Sequence, residues 1–198
     1  MGNNIKRIYL FSIVFLTVTL LKGPGLADDK ARDRSTLKGI QAVVVIVHAV
    51  APEWQAELAK VGLSESALQA TVEQQLQKAG IRVVAEEAAS RSEFEGILNV
   101  RLSFADPEPA KKQFPALGQK EETIEKVDVK KRYVYAIRLN LRQLVSLKRD
   151  PAAEAFSITW QTESVGMRHL SLIQERIKSL VDVFIEAYAS ENPDLINR

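Results

Sequence analysis

The sequence predicts an α+β fold, a two-layer sandwich in which a β-α-β unit is followed by antiparallel strands and a long C-terminal helix. Three stretches carry that expectation. Tyr133 to Leu147, YVYAIRLNLRQLVSL, alternates: Tyr133, Tyr135, Ile137, Leu139, Leu141, Val145 and Leu147 fall on one side, and Ala136, Arg138, Asn140, Arg142 and Ser146 on the other. A period of two marks a half-buried strand, because a helix would scatter those residues around its circumference. Ile40 to Ala85 reads apolar strand, helices, short apolar strand, the order of a right-handed parallel crossover. Leu170 to Ala189 places Leu170, Ile173, Ile177, Leu180, Val181, Phe184 and Tyr188 along one helical stripe, with Gln174, Lys178, Asp182 and Glu186 opposite.

Taken in order, the chain begins with Lys6 and Arg7, an uncharged run from Ile8 to Leu21, the breakers Gly23, Pro24 and Gly25, then Leu26 and Ala27. A basic start, a short apolar core and small residues before a junction make up a secretory signal, with cleavage expected after Ala27. The run is shorter than the roughly 20 residues of a permanent membrane span, so retention as an anchor is the lesser alternative. With no Cys anywhere, the junction offers no thiol for lipoprotein-type attachment. The expected setting is therefore periplasmic or secreted, with no integral membrane segment after cleavage.

Asp28 to Lys38, DDKARDRSTLK, is charged and non-periodic, and is expected to be a flexible leader before a single domain spanning residues 39–192. Ile40 to Val50 is almost continuously apolar, as in a strand buried on both faces. Pro52 to Val61 suits a short helix stopped by Gly62, with Trp54, Leu58 and Val61 on one side. Ser64 caps the next helix, Leu63 and Leu68 are placed as a hydrophobic staple, Leu68, Val72 and Leu76 recur every four residues, and Gly80 ends it. Ile81 to Ala85 is then a short strand.

Ile97 to Phe104 alternates with Leu98, Val100, Leu102 and Phe104 inward and Asn99, Arg101 and Ser103 outward, and should pair with the Tyr133 strand. The connection at 105–131 holds Pro107, Pro109, Pro115 and a mixed-charge run; its length suggests a functional loop or partial disorder. Ala155 to Val165 is expected as the last strand, with Phe156, Ile158 and Trp160 inward, reached through a turn at Lys148 to Pro151. Asn192 and Pro193 stop the final helix, leaving 193–198 as a tail.

Composition narrows the function. The 198 residues carry 27 basic and 25 acidic side chains, and loss of the leader removes Lys6, Arg7 and Lys22, leaving 24 basic against 25 acidic. A near-neutral domain has no global charge with which to neutralise phosphates, so no nucleic-acid partner is expected. Stability without Cys must come from an ordinary core.

Val43 to Val47, then Leu68, Val72 and Leu76, then Gly80, Ile81, Val83 and Val84 resemble the opening of small periplasmic α/β modules such as the amino-terminal domain of TolB and the periplasmic domain of the curli secretion channel. The later antiparallel strands closed by a helix are similar too. The resemblance implies a fold and an envelope setting. It transfers no catalytic or binding residue, since the chain has no propeller after the module, no lipid-acceptor Cys and no obvious channel-forming hairpins. The chain also looks like the short exported bacterial proteins found in families of unknown function.

Several side-chain groups compete for a functional role. His48 and His169 could hold a metal with Glu53 or Glu163, but no i, i+4 His pair or His-x-His occurs, and no metal or other cofactor is expected. Glu86, Glu87, Glu93 and Glu95 could supply the paired carboxylates of a glycoside hydrolase acting on an envelope polymer; a solvated acidic connection explains them as well. Gly62-Leu63-Ser64-Glu65-Ser66 lacks the second Gly of a nucleophile elbow, and phosphate loops are absent. Trp54 and Trp160 could stack on sugars, although such residues within apolar stripes are ordinarily core.

The most informative set is the outward sheet face, where Arg101, Arg138, Arg142 and Asn140 would stand beside Asn99, Ser157, Thr159, Gln161 and Glu163. Guanidinium groups on a rigid sheet suit an envelope protein or an anionic or glycan component. A polar open face with Arg–Glu pairing is the structural alternative. The leading expectation is thus an exported, non-enzymatic binding or accessory module that engages a partner through a sheet edge, by strand addition, or through the arginine face, with a possible homo-oligomer. The alternatives are the hydrolase and a small-ligand carrier with a helix-grip fold.

Overall fold

A computed structural model describes residues 31–85, 95–105 and 132–196. These form a four-stranded mixed sheet in the order β1 (Ala42–Val47), β2 (Glu95–Ala105), β3 (Arg132–Leu147), β4 (Asp150–His169). β1 is parallel to β2, and β2, β3 and β4 are successively antiparallel. Before them lies a helical turn, α1 (Ala31–Arg34); α2 (Pro52–Lys60) and α3 (Glu65–Lys78) follow β1, and α4 (Ile173–Glu191) and the turn α5 (Pro193–Ile196) close the chain. This is the expected α+β architecture, with the long helices gathered on one side of the sheet.

The two crossover helices end in the same way. At α2, Gly62 at φ +73° lets its N–H reach Ala59 O at 3.2 Å while Leu63 N–H reaches Leu58 O at 2.9 Å. At α3, Gly80 at φ +79° repeats the pair, with its N–H on Gln77 O and Ile81 N–H on Leu76 O, both at 3.0 Å. Both are Schellman caps, and in each the residue after Gly is buried, as is the residue three before the cap. The expected start of α3 is also present: Ser64 Oγ accepts from Ala67 N–H at 3.3 Å, between buried Leu63 and Leu68.

β1 is buried on both faces, as its unbroken apolar run predicts. The return at Ile81 to Ala85 is less than a full strand: a single parallel bridge joins Val83 to Val43, held by Val43 N–H on Arg82 O and Val84 N–H on Val43 O. The helix-facing core contains Val43, Val45, Val47, Leu98, Val100, Leu102, Ile137, Leu139 and Leu141 under Leu68, Val72, Leu76, Ile177, Leu180, Val181 and Phe184. Trp160 meets Phe184 edge-on at 5.1 Å in its centre. Gln75 ties α3 to α4 through Lys178 O at 2.9 Å and Asp182 Oδ1 at 2.5 Å.

Two further expectations need correction. The leader placed at 28–38 is structured from Ala31 onward, and Leu37 is fully buried. Asn192 explains why, since its Nδ2 donates to Leu37 O at 2.8 Å and Tyr188 O at 3.1 Å while its Oδ1 accepts from Gly39 N–H at 2.7 Å. Thr36 adds a bond from its hydroxyl to Thr159 O, and accepts at its own carbonyl from Gln143 Nε2.

The second correction concerns β4. Leu141 pairs with Trp160 but the next residue, Arg142, pairs with Ile158, so Thr159 is an extra residue in a β-bulge. The bulge reverses the alternation. Trp160, Thr162 and Ser164 face the helices, whereas Phe156 and Ile158, expected inward, stand on the opposite face about half exposed. The signal peptide expected at 1–27 and nearly all of the 105–131 connection lie outside the described residues.

Candidate functional site

The open side of the sheet is built by strand alternation. With Leu98, Val100, Leu102, Ile137, Leu139 and Leu141 committed to the core, Asn99, Arg101, Arg138, Asn140 and Arg142 must project away from the helices. Register then aligns them across three strands. Asn99, Asn140 and Gln161 form one row; Arg101, Arg138 and Glu163 form the next; Ile97, Arg142 and Ile158 form the row on the other side. All four residues singled out in the sequence, Arg101, Arg138, Asn140 and Arg142, therefore share one face. Of the polar residues expected beside them, Gln161 and Glu163 are there, Ser157 pairs with Gln143 on the other face, and Thr159 is the bulge residue.

The three arginines differ in their surroundings. Arg138 donates from Nε at 3.2 Å and Nη2 at 3.1 Å to Glu163 Oε2, and both side chains remain substantially exposed, at 55% and 42%. Such a pair is worth no more than about 1 kcal/mol, and mainly cancels the charge of Arg138. Arg142 lies over the Phe156 ring, 5.9 Å from its centre, which leaves its guanidinium edge free for an anion. Among the described residues, neither Arg101 nor Arg142 has a carboxylate partner. Since Arg142 stands opposite Ile97, these two cations lie four residues apart, about 13 Å along the sheet at 3.3 Å per residue. The Asn99–Asn140 amides fill the interval, and exposed Leu144, Phe156 and Ile158 form an apolar margin beyond Arg142.

Asn99 is nearly fully buried although it faces this side; its Oδ1 meets His48 Nε2 at 2.9 Å and its Nδ2 donates to Ile97 O. His169 instead caps the entry to the last helix, its Nδ1 accepting from Ser171 N–H at 3.2 Å. The histidines end β1 and β4, with two strands between them, so they do not converge. Among the described residues, no group of three His, Asp or Glu side chains is placed to hold a metal. Glu86, Glu87 and Glu93 lie outside the described residues, and Glu95 opens β2 opposite Ala42. Trp160 is core; Trp54 is half-buried, edge-on to Tyr133 at 5.4 Å and tilted against Phe104 at 6.2 Å, while Tyr133 donates its hydroxyl to Glu57 Oε2.

No family model matches the sequence, and no curated protein matches it. Solved structures similar to this chain include a PelC dodecamer from Paraburkholderia phytofirmans, at 13% identity and a TM-score of 0.43 over 82% of this chain and 95% of that one. A neuraminyllactose-binding hemagglutinin homolog from Helicobacter pylori is similar at 13% identity and a TM-score of 0.32, over 81% of this chain and 90% of that one. Among the described residues, no helix is long and apolar enough to cross a membrane.

A feature that sequence reading missed lies at the carboxyl ends of β1 and β2. There a cleft of about 490 Å³ is lined from the loop after β1 by His48 to Ala51, Glu53 and Trp54, and from β2 by Arg101 to Phe104. Ile40 to Val50, expected as one strand, is a strand only over Ala42–Val47, so β2, which runs to Ala105, extends past its neighbour.

Proposed function

We propose that this protein is a non-enzymatic binding module, exported to the periplasm or beyond, that holds an anionic or glycan component of the envelope on the open face of its sheet. One observation carries the reading: Arg101 and Arg142, without carboxylate partners among the described residues, flank an amide row on a rigid three-stranded surface. Fixed guanidinium groups spaced by about 13 Å suit an extended acidic chain, such as a polysaccharide bearing carboxylates, better than a single small ion. Asn140 and Gln161 offer both donors and acceptors for the hydroxyls between the charges. Arg138, already neutralised by Glu163, sets the position of that carboxylate rather than contributing net charge. The export signal expected at 1–27 supports the envelope setting.

The test is binding of an anionic envelope polysaccharide from the natural host, measured by calorimetry at two salt concentrations. Arg142→Glu is expected to lower affinity at least tenfold and to flatten the salt dependence, with thermal unfolding shifted by no more than a few degrees. Equal affinity for Arg142→Glu and the parent would remove this face as the binding site.

A further inference from the structure

The cleft at the end of β1 is a second recognition site, and we infer that it takes an extended peptide strand carrying one acidic residue between apolar ones. The backbone carries the argument. His48 N–H bonds Val100 O at 2.9 Å, which fixes the even-numbered residues of β2 with their N–H and C=O groups turned toward β1. β1 stops at Val47, opposite Val100, while β2 continues to Ala105. One step past the end of the ladder, Leu102 and Phe104 turn the same groups into the cleft, and no described residue bonds them there. Backbone donors and acceptors so placed call for a partner, and an added strand is the partner whose geometry matches.

Side chains define what that strand must carry. Along β2, Arg101 and Ser103 project to the open side, and Leu102 and Phe104 to the helix side. A strand laid along this edge alternates in the same way. Its open-side residue meets the Arg101 guanidinium, which has no carboxylate partner among the described residues, beside the Ser103 hydroxyl. Its helix-side residue meets the half-buried ring of Trp54, which lies tilted against Phe104. Glu53 at the opposite rim disfavours a run of acids, so a single carboxylate flanked by apolar residues is the matching pattern. Arg101 is shared with the open face proposed above, whereas Arg142 and the apolar margin take no part, so Arg142 is the residue that tells the two sites apart.

A random 12-residue peptide display library selected on the whole protein tests the inference, with Ser103→Trp, which fills the cleft from an exposed position, as counter-selection. Enriched peptides are expected to alternate apolar residues with one acid, and selection on Arg101→Glu is expected to replace that acid by Lys or Arg at the same position. N-methylation of a selected peptide at one alternating set of residues should cut affinity at least tenfold, while the other set is tolerated. Arg142→Glu should leave peptide affinity unchanged, so failure of the open-face reading and failure of this one are distinguishable. Absence of enrichment over Ser103→Trp, or methylation that acts equally on both sets, would overturn strand addition. Concentration-dependent self-association abolished by Ser103→Trp would instead assign the cleft to a second copy of this chain and overturn the peptide assignment.

Discussion

Asn192 shows what a single carboxamide does at the end of a helix. It ends α4, yet it reaches back to Leu37 and Gly39, so one side chain satisfies the helix end and pins the segment before β1. Asn192→Ala would strip three hydrogen bonds from a buried position and leave backbone groups unpaired. A loss of about 2–4 kcal/mol is expected, read as a lower urea midpoint at unchanged slope. Nearby, Tyr188 donates its hydroxyl to Ile40 O at 2.6 Å, and burial raises its pKa above the ordinary value of 10.0. The folded state therefore keeps this proton longer than the unfolded chain does. Stability from this group is complete below about pH 10 and is lost as pH rises from there through the folded pKa. Urea midpoints between pH 8 and 11 should fall more steeply for the parent than for Tyr188→Phe, which lacks the ionisable hydroxyl and at neutral pH should be about 1 kcal/mol less stable.

At the scale of elements, legibility followed local chemistry. Helix ends were readable because Gly62, Gly80 and Ser64 act within a few residues of themselves, and the stripe of α4 because its period is its packing. β3 was readable up to Leu141 for the same reason. The bulge at Thr159 was not, because nothing in TESV or FSITW marks an extra residue: no Gly stands there, and Phe156, Ile158 and Trp160 alternate perfectly as written. Tertiary geometry decides it. Trp160 must pair with Leu141 to meet Phe184, and the strand absorbs one residue to reach that register. The reassignment has a measurable consequence. Trp160→Ala should cost about 3–5 kcal/mol, whereas Phe156→Ser, on the open face, should cost less than about 1 kcal/mol. Comparable losses for both would restore Phe156 to the core.

For the whole molecule, the division of labour follows from a sheet whose long helices, among the described residues, all lie on one side. Helices α3 and α4 bury one face, and the strand period then delivers every intervening residue of β2 and β3 to the other. The sharing of that face by Arg101, Arg138, Asn140 and Arg142 was legible once β2 and β3 were known to pair. Neutralisation of Arg138 by Glu163 and stacking of Arg142 on Phe156 required the β3–β4 register, which the bulge hid. The cleft was hidden for a different reason, since it arises from a mismatch in length between two strands 48 residues apart in sequence, Val47 and Glu95. The measurement that bears most directly on the account is photo-crosslinking in intact cells of the natural host, with a benzophenone side chain in place of Asn140 on the open face or of Gln77 on the exposed side of α3. An adduct at position 140 that disappears with Arg142→Glu, and none at position 77, is the expected result. Equal adducts at both positions, or an adduct at 140 indifferent to Arg142→Glu, would contradict a binding role for the open face.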